Sequence, residues 1–67
     1  MQNEALEAQV AAFVAQGKFH PALNVALSGL NACRRTGDAE GVGECLGLLR
    51  RIVDDLEQAC RAEGSAP

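Results

Sequence analysis

The stretch from Gly37 to Arg61, GDAEGVGECLGLLRRIVDDLEQACR, constrains the fold more than any other part of the chain. Apolar residues fall at Val42, Cys45, Leu46, Leu49, Ile52, Val53, Leu56 and Cys60. Steps of three and four residues return to one face of an α-helix, so the spacing predicts a helix over about 38–61. Asp38 is a suitable N-cap, and Glu40 belongs in the first turn. At 1.5 Å per residue such a helix is about 36 Å long. Gly41, Gly43 and Gly47 each cost roughly 1 kcal/mol relative to Ala inside a helix. Either the first turns fray, or another helix approaches closely where a Cβ is missing.

Two shorter helices precede it. Leu6, Val10 and Phe13, with Val14 beside them, stripe a helix over about 3–16, with Asn3 as N-cap, Glu4 and Glu7 at its positive end, and Gly17 as its stop. Lys18-Phe19-His20 reads as the turn. A second helix runs over about 21–35, opened by Pro21, whose missing N–H has no partner in a first turn anyway. Leu23, Ala26, Leu27, Leu30 and Cys33 make one face; Val25, Gly29 and Ala32 make another. A helix with so little polar surface is covered on two sides, which places it between its neighbours. At about 22 Å it is too short to cover the third helix, whose far end, from about Val53 to Cys60, is expected to overhang. Glu63 to Pro67 reads as a flexible tail.

The expected architecture is therefore all-α: a three-helix antiparallel bundle with a long C-terminal helix, one domain over about 1–62. Sixty-seven residues bury a smaller share of their surface than a larger domain does. With 3% aromatic residues the core is thin, which favours association. A net charge of −3 argues against a nucleic-acid module and against an anionic membrane surface. No apolar run approaches 18 residues. The N-terminus, MQNEALEAQV, has acids where a leader would have basic residues, so a cytoplasmic protein is expected. Three cysteines, Cys33, Cys45 and Cys60, match no zinc or redox spacing. Cys33 and Cys45 are expected as small buried hydrophobes. Cys60, near the chain end, could join two chains only where the compartment is oxidising.

Gly17-Lys18-Phe19-His20-Pro21-Ala22-Leu23 resembles the centre of a tetratricopeptide repeat, with Gly29 as a second small residue. The stretch from Arg34 to Gly41 resembles the link to a next repeat, after which Val42, Leu46 and Leu49 repeat the positions of Leu6, Val10 and Phe13. Repeats of this family run near 34 residues, and the resemblance covers about residues 5–56, one and a half repeats. Leu6 stands where the motif has a large aromatic, and Val10 where it has a small residue. The resemblance implies hairpin-like helix packing and a core completed by another copy or another protein, since a stable stack needs about three repeats.

Candidate chemistry is sparse. His20 is the only histidine, with no second His or carboxylate at ligand spacing, so no metal is expected. Asp54 and Asp55 are adjacent, point about 100° apart and cannot face each other across a cleft. No nucleophile stands beside a base and no phosphate loop is present, so neither catalysis nor a cofactor is expected. Arg50 with Asp54, Arg51 with Asp55 and Glu57 with Arg61 read as exposed i, i+4 pairs. What remains is apolar surface. Val14, Val25, Ala32, Leu48, Ile52, Leu56 and Ala59 are the candidate partner-binding residues, with Arg34, Arg35, Arg50 and Arg51 as a possible charged rim. Leu49 is expected in the core, and Leu48 outside it. The expected function is an adaptor or co-chaperone of bacterial type that docks an amphipathic helix or apolar surface of a partner protein or a second copy. A regulatory inhibitor of phage or mobile-element type is the alternative. Nucleic-acid binding through the paired arginines is a weaker one.

Overall fold

A computed structural model describes residues 4–64. Three helices follow one another: α1 (Glu4–Ala15), α2 (Phe19–Thr36) and α3 (Ala39–Gly64). They form the expected all-α bundle. α2 packs against both neighbours, and α1 barely touches α3.

Glycine sets both turns. Gly17 and Gly37 have φ of 74° and 71°, a region that costs residues with a Cβ about 1 kcal/mol or more. After each, the chain folds back on the last helical turn. Gly17 N–H donates to Val14 O at 2.9 Å, and Lys18 N–H to Phe13 O at 2.8 Å. Gly37 N–H donates to Arg34 O at 3.3 Å, and Asp38 N–H to Cys33 O at 2.9 Å. These bonds satisfy carbonyls that a helix end leaves orphaned. Asp38 then caps α3, its Oδ1 accepting from Gly41 N–H at 3.0 Å.

The boundaries differ from expectation in three places. α2 begins at Phe19, so Phe19 and His20 are helical and Pro21 is the third helical residue. Proline is tolerated there because none of the first four N–H groups has a partner within the helix. Lys18 occupies the cap position without a side-chain bond. α3 continues through Glu63 and Gly64, which the tail reading had placed outside the helix. Gln16 lies just beyond α1, and the proposed cap Asn3 lies outside the described residues.

The core is as thin as the composition implies. Val10, Ala22, Ala26, Cys33, Cys45 and Ile52 are its buried hydrophobic residues. α2 and α3 run antiparallel, and their register can be read from two glycines. A Cβ on Gly41 would lie 2.5 Å from Cys33 Sγ, and one on Gly29 would lie 3.3 Å from Cys45 Sγ and 2.8 Å from the Leu6 side chain. Continuing that register, the start of α2 lies opposite about residue 55 of α3, so the last two turns of α3 overhang. The molecule is correspondingly long, 48 × 17 × 14 Å. In the overhang, Arg61 donates to Glu57 Oε2 at 3.0 Å. No ion pair joins Arg50 to Asp54 or Arg51 to Asp55 among the described residues.

α3 also corrects the sequence reading of its apolar face. Of the eight residues of that stripe, Cys45 and Ile52 are buried, with Gly41 on the same side, and Val42, Leu49 and Leu56 are half-buried. Leu46, expected inside, is 38% exposed; Val53, expected at the start of the overhang, is 52% exposed, and Cys60 is exposed. On α2, Leu27 was expected on the packed face and is 44% exposed. Leu48 and Leu49 both pack half-buried against the core, so the contrast expected between them does not hold.

Candidate docking surfaces

Two surfaces of different character flank α3. The first is a cleft between α1 and α3, with a volume of about 330 Å³. Its walls are Val10, Ala11, Val14, Ala15, Leu48 and Ile52, and Glu7, Arg51 and Asp55 stand at its rim. The cleft exists because α1 and α3 both lean on α2 and hardly on each other. The small side chains of Ala11 and Ala15 leave the space between them open. Such an apolar floor with a few charges at the edge suits the apolar stripe of a helix.

The second surface lies on the other side of α3, away from α1. Leu46, Leu49, Arg50, Val53 and Asp54 line a shallow depression of about 290 Å³. Leu23 and Leu49 both pack against the core from the two helices that form this side. The 100° turn per residue sets Leu27 and Leu30 beyond Leu23, along the same α2–α3 seam.

The candidate residues distribute unevenly over these surfaces. Val14 and Leu48 line the α1–α3 cleft, half-buried. Ile52 is 1% exposed and belongs to the floor, so it supports a partner's seat without being open to it. Val25 packs half-buried against the core. Ala32, Leu56 and Ala59 are half-buried outside the cleft. The arginines do not form one rim. Arg34 and Arg35 lie with Asn31 around an open hollow at the end of α2, beside the start of α3. Arg50 and Arg51 lie about 15 Å farther along α3 and point about 100° apart, Arg51 to the cleft and Arg50 to the depression. Leu46 and Leu27 have the spacing of packed faces and are nonetheless open, and nothing in the sequence marks Ala11 and Ala15 as the cleft's small wall.

Reactive groups are placed conservatively. His20 is exposed at the start of α2. Among the described residues no three His, Cys, Asp or Glu side chains gather to hold a metal ion. No described helix is long and apolar enough to cross a membrane. Cys33 and Cys45 are fully buried, and burial, followed by the neighbouring Cys33, pushes the Cys45 thiol above its ordinary range. Burial opposes the thiolate, the form in which a cysteine attacks or binds a metal.

No family model matches the sequence, and no curated protein or solved structure matches it either.

Proposed function

We propose that this chain is a small protein–protein interaction module, an adaptor or co-chaperone, whose α1–α3 cleft takes an amphipathic helix of a partner protein. The cleft itself carries the reading: it is apolar, open, and walled in part by alanines, with no described residue filling it. A helix inserting two or three large apolar residues would cover Val14, Leu48 and the alanines. Each well-buried large side chain contributes roughly 1.5–3 kcal/mol before the cost of ordering. Glu7, Arg51 and Asp55 offer both signs of charge at the rim, which would fix the orientation of the guest more than its affinity.

The tetratricopeptide-like reading belongs with this proposal. Buried Ala22 and the tight seat of Gly29 against Leu6 support it, since these are the positions where the motif wants small residues.

The test uses a photoreactive side chain at position 11 in the producing cell, followed by titration of the captured helix as a peptide. Ala11 is exposed, so Ala11→Glu should leave helicity and melting unchanged while filling the cleft with a charge. The peptide should then bind at least about tenfold more weakly, a loss of about 1.4 kcal/mol. Equal binding by the variant and the parent would contradict the assignment.

A further inference from the structure

The apolar residues of α3 outside its fully buried side follow a rule of their own. Val42, Leu46, Leu49, Val53, Leu56 and Cys60 are separated by steps of four, three, four, three and four. That is a heptad seam over five steps, the pattern by which one helix packs along another. Gly41, Cys45, Leu48 and Ile52 show the same steps one residue earlier, and that seam lies against α2, with Leu48 at the edge of the α1–α3 cleft. The second seam is covered only in part: Val42, Leu49 and Leu56 are half-buried, and Leu46, Val53 and Cys60 are exposed. It holds Leu46 and Val53, two of the three exposed large hydrophobics among the described residues; the third, Leu27, borders it from α2.

The amount of surface supports a cover as well. A folded monomer of 7.0 kDa is expected to expose about 4,000 Å². This chain exposes 4680 Å². Its radius of gyration is 13.1 Å, where a compact chain of this length has about 11 Å. The excess approaches the roughly 800 Å² that each partner contributes to a standard interface.

We propose that the seam is covered by a second copy of this chain, whose α3 lies antiparallel along it. Opposed about a two-fold axis near Arg51, all six seam residues pair: Val42 with Cys60 of the second copy, Leu46 with Leu56, Leu49 with Val53, and each again by symmetry. Around the axis, Arg50 and Asp54 of each copy lie on the open flank of the seam. They supply two charges of each sign, and neither makes an ion pair with a described residue of its own chain. Glu57 faces Gly43 and Gly47 of the second copy, where there is no side chain to repel it. The overhang decides direction. Side by side and parallel, the two overhangs would cover only each other. Antiparallel, the last turns of each α3 run beside the other copy's body, which shields Leu56 and Ala59. The α2 helices then flank the same seam, and Leu27 is covered there. This surface is separate from the α1–α3 cleft, so the proposal stands or falls independently of the partner-docking reading.

Sedimentation equilibrium and mild oxidation of the full chain test it. The wild type should sediment as two chains by about 100 µM. Val53→Asp should sediment as one chain with unchanged helical circular dichroism. Val42→Cys should form a disulfide between position 42 and Cys60 of the second copy, giving a covalent dimer on a non-reducing gel. In the wild type, the two Cys60 thiols of an antiparallel dimer stand about 27 Å apart and should not join. A single chain throughout this range, a dimer indifferent to Val53→Asp, or a wild-type Cys60–Cys60 bond would overturn the proposal.

Discussion

Three glycines within one helix look alike in the sequence and differ in what surrounds them. A Cβ on Gly41 would meet Cys33 Sγ and the Asp38 carboxylate at 2.5 Å, while one on Gly43 or Gly47 would meet nothing within 4 Å. Gly41→Ala should therefore destabilise the fold by about 1–3 kcal/mol, by overpacking a buried contact and disturbing the cap. Gly47→Ala should stabilise it by about 0.5–1 kcal/mol through helix propensity. Urea unfolding of the two variants checks both signs. The close-approach reading of these glycines thus applies to Gly41 alone; propensity gives the same value to all three, and only the position of Cys33 distinguishes them.

The thiols separate in the same way. Cys60 is exposed, and Cys33 and Cys45 are buried. A thiol reagent should modify one cysteine per native chain and three in denaturant. The folded Cys45 holds its proton more tightly than the unfolded one, first because of burial and then because Cys33 is close. The stability this provides is fully present below the ordinary thiol range and is lost as pH rises through the raised folded value. Unfolding midpoints should fall with rising pH in the alkaline range, and Cys45→Ala should show a shallower fall.

At the level of elements, the number, type and order of the helices follow from periodicity, the turn glycines and Asp38. The start of α2 was harder to read because Pro21 looks like a first residue but is tolerated as a third. The end of α3 was harder because Glu63 and Gly64 carry no periodic signal. The candidate site was half legible. Val14 and Leu48 were singled out, but the alanines that open the cleft read only as good helix formers. The apolar arc of α3 shows that the helix has much to bury without showing which part its own chain buries. α1 and α2 take the Gly41–Cys45–Ile52 side, and Leu46 and Val53 are left over. The second heptad seam was nonetheless present in the spacing, one residue out of step with the first. Leu46→Ser should accordingly cost the isolated fold less than about 1 kcal/mol, whereas Ile52→Ala, at 1% exposure, should cost about 2–5 kcal/mol. Thermal melts of both variants, at a concentration low enough to suppress association, make the comparison.

The whole molecule is a thin bundle with one helix longer than its companions. Its six buried hydrophobics include two alanines and two cysteines, which is little for a chain that must stand alone. Surface left open on both sides of α3 is the consequence: a cleft on the α1 side and a seam on the other. The fold leaves more apolar surface than its own helices cover. The most direct test is the melting temperature as a function of protein concentration, because a fold completed by association is stabilised by mass action. From about 2 to 200 µM the midpoint should rise by about 5 °C or more, given the unfolding entropy of a domain this small. A midpoint that stays fixed across that range, with the mass of one chain throughout, would contradict the account.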